Sequence, residues 1–191
     1  SRENSRLLTL GKSDENTIFG FAADRTWGDF AVYNLYNSDK NKSADITLDF
    51  GDAGLPAGTR CVVYDFWENK ALGYATDSFT GKNIPKNGSQ LLRFTPLTGD
   101  FPKLVGSNLH LSIGATEIEE MYTTSKSIKI MLSSAGAQTG DLFFHSTKAI
   151  EAGSSDNCSI SSVQGLGDNL WKVSVKGRIW NSKQQVNLII K

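Results

Sequence analysis

One-sided charge is missing from this chain of 191 residues. Its 20 lysine and arginine side chains are balanced by 20 aspartates and glutamates, so the formal net charge at pH 7 is zero. Such a chain creates no field that would concentrate a polyanion, and no lysine and arginine cluster reaches the density of a nucleic-acid footprint. We therefore expect no nucleic-acid partner.

Long hydrophobic runs are also missing. No apolar segment approaches the roughly 20 residues that a helix needs to cross a bilayer. The N-terminal stretch SRENSRLLTL lacks the long apolar core of a signal peptide. The sequence predicts a soluble chain with no membrane partner, cut from something longer.

Cysteine and histidine are scarce. Cys61 and Cys158 lie far apart without a CxxC partner, and His110 and His145 each stand alone. Zinc sites and thioredoxin-type redox centres need clusters of such residues, and no G-x-G-x-x-G stands between a strand and a helix to bind a nucleotide. We expect no metal, no cofactor and two cysteines that pack as isolated side chains. Whether the two cysteines meet is left open.

A sustained helical period of 3.6 residues is absent, and alternation with a period of two takes its place. In ADITLDF, residues 44–50, the apolar Ile46, Leu48 and Phe50 share one face, which a helix could not arrange. The same pattern predicts further strands at Phe30–Tyr36, Cys61–Phe66, Gln90–Phe94, Asn108–Ile113, Ser127–Leu132, Trp171–Val175 and Val186–Ile190. Residues 115–122 suit one turn of helix or the flank of a strand, and we interpret them as a strand flank.

Many short strands with regular turns predict an all-β fold, an antiparallel Greek-key β-sandwich, in the form of two small sandwiches in tandem. Pro96 and Pro102 bracket a Gly-Asp pair and interrupt strand pairing. We place the boundary there, with a first sandwich at 1–100 and a second at 101–191. The alternative is that both halves share one core.

Three segments of the first half carry a resemblance to a known family. They are GDFAVYNLYN at 28–37, VYDFWENKALG at 63–73 and IPKNGSQLLRF at 84–94. In order and spacing, over residues 17–96, they resemble the C-terminal β-sandwich domain of clan D glycoside hydrolases, the α-galactosidase or melibiase group and its bacterial relatives. The segment LVGSNLHLSIG at 104–114 is similar to a stretch that follows this domain in some bacterial members.

The same segments predict local packing. Tyr64, Phe66 and Trp67 can bury aromatic area at a strand end before residues 68–70 reverse the chain, which would make a hairpin with an aromatic clasp. In the strand that ends the third segment, alternation allows Arg93 to face water or a domain partner.

The glycosidases of this group cleave with two carboxylates on a (β/α)₈ barrel, and this sequence predicts no barrel. The close acidic pairs are Asp49 with Asp52, Asp65 with Glu68, and Glu117 with Glu119 and Glu120. Each is expected at a turn or on the polar face of a strand, where solvated charge is the ordinary state. We predict that the chain contains no catalytic residue and is not itself an enzyme.

Sugar rings can pack their C–H faces on flat aromatic side chains, so the tryptophans are the candidates for carbohydrate binding. Trp67 is interpreted as the hairpin clasp, and Trp171, which opens the alternating WKVSV, as core. Trp27 and Trp180 are predicted to be the exposed rings. Packing against a core or another domain is the commoner role of such residues.

The resemblance implies a non-catalytic C-terminal accessory domain of a multidomain glycoside hydrolase that acts on polysaccharides. Its partner would be the upstream (β/α)₈ catalytic domain of the same polypeptide, and it would be secreted, periplasmic or at the cell surface of a bacterium. An autonomous carbohydrate-binding module is the alternative hypothesis. A cell-surface adhesion or assembly module that binds a protein is the third.

Overall fold

The computed structural model describes residues 4–12, 16–133, 138–178 and 181–191. Every regular element in these residues is a β-strand. Within the same ranges, no helix has the length and hydropathy of a membrane span. The chain divides into two compact units, Ser1–Thr98 and Gly99–Lys191. The predicted all-β fold of antiparallel sandwiches is confirmed.

The first unit pairs a six-stranded sheet with a two-stranded one. Its strands are β1 (Asn4–Lys12), β2 (Asn16–Asp24), β3 (Phe30–Asn37), β4 (Ala44–Asp49), β5 (Arg60–Asp65), β6 (Lys70–Thr76), β7 (Ser78–Ile84) and β8 (Ser89–Pro96). The large sheet has the order β1-β2-β3-β8-β5-β6, and β4 pairs with β7 in the small sheet. All of these pairs are antiparallel.

The core of the first unit lies between its two sheets. The alternating Ile46 and Leu48 of β4 are buried against residues of β3, β5 and β8, as the period-two pattern predicts. Phe94 is the aromatic centre, with its ring 5.4 Å from that of Phe50 and 5.7 Å from that of Phe79, both edge to face. Burial of each such ring contributes roughly 1.5–3 kcal/mol to folding.

The second unit contains two four-stranded sheets. Its strands are β9 (Lys103–Ser107), β10 (Ile118–Thr123), β11 (Ser127–Leu132), β12 (Thr139–His145), β13 (Ile150–Asp156), β14 (Cys158–Gly167), β15 (Leu170–Gly177) and β16 (Gln184–Ile190). Their orders are β10-β11-β16-β13 and β14-β15-β12-β9. In the first of these sheets Ile128 lies opposite Leu188 and Ile130 opposite Val186, all of them buried.

Most of the predicted strands are confirmed, among them Ser127–Leu132, which matches β11 residue for residue. The flank at 115–122 leads into β10, as its strand interpretation expected. That the two halves are independent domains, 1–100 and 101–191, stays a prediction, because compactness alone does not show that each folds by itself.

The predicted strand Asn108–Ile113 is wrong. The strand in this region is Lys103–Ser107, and the next residues form turns, with Ile113 in the left-handed region at φ 48°. Asn108 Oδ1 accepts a hydrogen bond from Asp141 N at 2.7 Å, which directs its side chain into the backbone of β12. Leu111, which alternation would place on a buried face, is 51% exposed. The segment therefore has no continuous core face that would support a strand.

Candidate functional site

The hairpin that joins β5 and β6 turns on Asp65. This residue is buried, and its Oδ1 accepts a hydrogen bond from Glu68 N at 3.0 Å. Asn69 adopts φ 50°, which asparagine tolerates, and its Oδ1 accepts a hydrogen bond from Tyr64 Oη at 2.9 Å. The polar residues of the turn therefore hold one another in place, and Tyr64 is fully buried beneath them.

Trp67, at the tip of this hairpin, is 63% exposed. Its ring meets the half-buried Phe66 edge to face, with centroids 5.0 Å apart and planes at 82°. The predicted aromatic clasp is therefore wrong for Trp67, although it holds for Tyr64. The reason is geometric, because residues 66 and 67 are neighbours in a tight turn and their side chains leave the backbone in different directions.

Beside Trp67 lies a cleft of about 240 Å³, which we call the Trp67 cleft. It is lined by Asp65, Trp67, Glu68, Lys82, Asn83, Ile84, Pro85, Ser89 and Gln90. Gln90 Nε2 donates a hydrogen bond to Asp65 Oδ2 at 3.0 Å. Because a carboxylate accepts only, this bond fixes which end of the amide faces Asp65.

The other end of that amide has no partner. Gln90 Oε1 is buried, and no hydrogen bond to it occurs in the described part of the chain. It lies beside Gly81, where a Cβ would come within 2.6 Å of it. Only glycine leaves room for the amide at this point. A buried acceptor without a hydrogen bond costs about 1–3 kcal/mol.

The charges around the Trp67 cleft are paired with one another. Lys82 Nζ lies 2.7 Å from Asp45 Oδ2, and Lys70 Nζ lies 2.8 Å from Glu68 Oε2. The hydrogen bond from Lys82, helped by one from Asn83 N, lowers the pKa of Asp45. The bond to Glu68 raises the pKa of Lys70. Both pairs are solvent-exposed, so they hold the rim near neutrality without adding much stability.

Asn37, the last residue of β3, organises two turns at the same end of the unit. Its side chain is buried, and Nδ2 donates to three carbonyls, those of Lys42 at 3.0 Å, Ile84 at 3.0 Å and Pro85 at 3.1 Å. Its Oδ1 accepts from Asp39 N at 3.0 Å. The asparagine that ends the first family-like segment therefore positions Ile84 and Pro85, which form one wall of the Trp67 cleft.

Arg93 does not face water, which corrects the expectation from alternation. It is fully buried, its guanidinium lies 3.8 Å above the ring of Phe30, and its Nε donates to Thr95 Oγ1 at 2.9 Å. Its strand, β8, is central in the six-stranded sheet, where side chains on both faces are buried, Val62 and Tyr64 among them. In this sheet both faces are therefore covered at Arg93, although an antiparallel sheet often leaves one face in water.

Of the two tryptophans that were predicted to be exposed, the structure describes Trp27. Trp27 is half-buried and stacks on Phe30 with centroids 5.5 Å apart and planes at 18°. Trp180 lies outside the described residues. Trp171 is also half-buried, and its Nε1 donates to Ser146 O at 3.2 Å. Among the tryptophans that the structure describes, Trp67 is the exposed one, and the signal that could have found it is its place in a polar turn, directly before Glu68.

The acidic pairs are bound into turns. Asp65 and Glu117 are buried, so the expectation of solvated charge is wrong for both. Glu117 Oε1 accepts from Gly114 N at 2.6 Å, and its Oε2 accepts from Ser112 Oγ at 2.8 Å. Asp49 Oδ1 accepts from Gly51 N at 2.8 Å in an exposed turn. Among the described residues, no group of three or more His, Cys, Asp or Glu is placed to hold a metal ion.

Both cysteines are buried free thiols, Cys61 in the first unit and Cys158 in the second. Burial raises the pKa of the Cys61 thiol to about 11, and burial also raises that of Cys158. The thiolate is the reactive form of cysteine. Neither residue is therefore a nucleophile at neutral pH, and both fill space in a sandwich.

Comparison with known proteins finds one family model that is similar to part of the first unit. Residues 22–94 match the alpha galactosidase C-terminal beta sandwich domain, which confirms the resemblance for this part of the chain. The match does not reach the segment at 104–114, whose resemblance stays a prediction. No curated protein sequence matches the chain.

Three solved structures of glycoside hydrolases are similar to parts of this chain. Alpha-galactosidase I from Mortierella vinacea is 20% identical with a TM-score of 0.40, covering 46% of this chain and 22% of that one. A β-L-arabinopyranosidase from Geobacillus stearothermophilus is 14% identical with a TM-score of 0.42, covering 49% and 20%. An isomalto-dextranase from Arthrobacter globiformis T6 is 12% identical with a TM-score of 0.34, covering 92% and 33%. The chain thus spans a third or less of the length of these proteins.

Proposed function

We propose that this chain is the non-catalytic C-terminal region of a multidomain glycoside hydrolase of the α-galactosidase kind, and that it supports an upstream (β/α)₈ catalytic domain of the same polypeptide. The observation that carries the proposal is the match of residues 22–94 to the alpha galactosidase C-terminal beta sandwich domain. That match covers the strands from β3 to β7, most of β8 and the end of β2, together with most of the core of the first unit.

The polar residues of the family-like segments support a structural role, because each is used inside the unit. Asn37 holds two turns through its side-chain amide, and Asp65 holds the β5–β6 turn. Arg93 is buried under an aromatic ring. Residues used in this way build a scaffold.

The carboxylates support the same reading. A glycosidase needs two carboxyl groups on either side of the scissile bond, roughly 5–10 Å apart and open to the sugar. Asp65 and Glu117 are buried and accept hydrogen bonds from their own turns, and they belong to different units. Glu68 is exposed and paired with Lys70. None of these groups meets the requirement.

The experiment that tests the proposal uses the full-length gene product. We expect it to contain a barrel with paired catalytic aspartates, and we expect removal of the 191 residues to lower the thermal unfolding midpoint of that enzyme. The chain alone should not turn over aryl α-galactosides. Turnover by the purified chain that is lost in Asp65→Asn or Glu68→Gln would overturn the proposal, and so would a gene product without a barrel.

The family resemblance also supports export from a bacterial cell, to the periplasm, the cell surface or the medium. Fractionation of the native organism, with an antibody raised against this chain, measures this directly. Recovery of the protein only with cytoplasmic markers would contradict it, without bearing on the accessory role.

A further inference from the structure

We infer that the Trp67 cleft is a binding site for a single neutral sugar unit. This goes beyond the proposed accessory role, which requires no ligand, and it moves the carbohydrate site away from Trp27 and Trp180. Three features of the cleft carry the inference, namely an exposed flat ring at its rim, unused acceptor positions on the Asp65 carboxylate that lines it, and rim charges that are already paired.

The ring of Trp67 supplies the apolar surface. It is 63% exposed, yet its centroid lies 5.0 Å from that of Phe66 in an edge-to-face pair, so its orientation is supported from one side while most of its surface stays open. The C–H face of a sugar ring packs on such a surface as an aromatic partner would. The tight turn below it, held by Asp65 and Asn69, gives the ring a fixed base.

The floor supplies hydrogen-bond acceptors. Asp65 lines the cleft, and among the described residues its carboxylate accepts one backbone N–H and one amide N–H, which leaves lone pairs unused. A ligand that meets this carboxylate must donate hydrogen bonds. Sugar hydroxyl groups do so without carrying a charge.

The charge balance separates a sugar from an ionic ligand. Lys82 is already paired with Asp45, and Glu68 with Lys70. Lys82 is the lysine that lines the cleft, so an anionic ligand would meet the Asp65 carboxylate with that cation already paired, and a cation would have to compete with lysines that are in place. A neutral ligand that donates hydrogen bonds is neither repelled by the Asp65 carboxylate nor in competition with the lysines.

The size of the cleft limits the ligand. Its volume is about 240 Å³, which lies below the roughly 300–1,000 Å³ of sites that enclose drug-sized molecules. One sugar ring fits this space, with the rest of a chain extending into solvent past Trp67. Only a few contacts are available, so the dissociation constant should be weak, about 1 mM.

The test is a titration of the whole 191-residue chain with methyl glycosides of galactose, glucose, mannose and arabinose, followed by amide and indole NMR shifts. We expect saturable shifts in residues 65–68, 82–85 and 89–90 with at least one of these sugars. Trp67→Ala should weaken binding about tenfold, and Trp67→Phe, which keeps a flat ring, should weaken it less. Tyr122→Ala is the matched control, since Tyr122 is 58% exposed in the second unit and lies outside the cleft.

Each other result would overturn the inference. No saturable shift with any of the four sugars excludes the site, as does binding that Trp67→Ala leaves unchanged. Shifts at the cleft with methylguanidinium in place of the sugars would assign it to a cationic side chain of a partner protein. None of these results affects the accessory role, which is measured separately on the full-length enzyme.

Discussion

The guanidinium of Arg93 lies 3.8 Å above the ring of Phe30 in the buried centre of the six-stranded sheet. The two residues stand on neighbouring strands, β8 and β3, which pair directly. A cation over an aromatic face in a site without water is stabilised more than the same pair at the surface. Arg93 therefore contributes to the first unit by packing as well as by charge.

We expect Arg93→Ala to lower the free energy of unfolding of the first unit by about 2–4 kcal/mol, because it removes a large buried side chain and leaves a cavity. Arg93→Met keeps most of the volume and should lose less. Urea unfolding followed by tryptophan fluorescence measures both. The control is Arg60→Ala, since Arg60 is exposed and its guanidinium stacks 3.6 Å from Tyr74. Arg60→Ala should lower the free energy of unfolding by about 1 kcal/mol or less. Equal losses in Arg93→Ala and Arg60→Ala would contradict the role given to burial.

Asn37→Ala should lower the free energy of unfolding by about 2–4 kcal/mol, because it leaves the carbonyls of Ile84 and Pro85 without their donor. Asn37→Asp should cost at least as much at pH 7, since a carboxylate would replace that donor. The same urea experiment applies. Asn41→Ala changes an exposed asparagine four residues away and should stay within about 0.5 kcal/mol of the parent. A neutral Asn37→Ala would show that the two turns hold without it.

The Cys61 thiol predicts a pH dependence of stability at the alkaline end. Its folded pKa, about 11, lies above the ordinary value of 9.0, so the folded chain holds the proton more tightly than the unfolded chain. The resulting stabilisation is complete below pH 9 and is lost as the pH rises towards 11. The difference in unfolding midpoint between the parent and Cys61→Ala should therefore change over this range.

Cys158→Ala is the comparison for this measurement, because Cys158 lies in the second unit and its pKa is raised as well. It should leave the first unit's alkaline transition unchanged. A constant difference between the parent and Cys61→Ala from pH 8 to 11 would show that Cys61 does not titrate as described.

The two units should fold separately, because each has its own buried apolar residues from paired strands. Residues 1–98 and 99–191, expressed alone, should each give a dispersed β-sheet NMR spectrum and one cooperative unfolding transition. Lengths of this order are sufficient for an independent core. A fragment that remains unfolded alone, while the whole chain folds, would favour the alternative of one shared core.

Period-two patterns predicted the strands well where one face is apolar and the other polar. Residues 44–50 and Ser127–Leu132 are of this kind, and their buried and exposed positions alternate as expected. The same rule was wrong at Asn108–Ile113, because the side chain of Asn108 bonds to β12, which lies 33 residues away along the chain. No local pattern contains that bond.

The functional surface was predicted less well. A tryptophan beside a strand end can be buried in the core or exposed at the tip of a turn. The local sequence FWEN at residues 66–69 is compatible with both positions. The buried states of Asp65 and Arg93 were missed for a related reason. Their burial depends on which strands flank β5 and β8, and strand order is not a local property.

The all-β class, the neutral charge and the likeness of residues 22–94 to an α-galactosidase C-terminal sandwich follow from the order of the amino acids, because they depend on composition, on alternation and on motifs within single strands. The exposure of Trp67, the hydrogen bond from Gln90 to Asp65 and the burial of Arg93 follow from the folded arrangement. Each of these depends on residues brought together from distant parts of the chain, and hydrogen bonds and burial are set by neighbours in space.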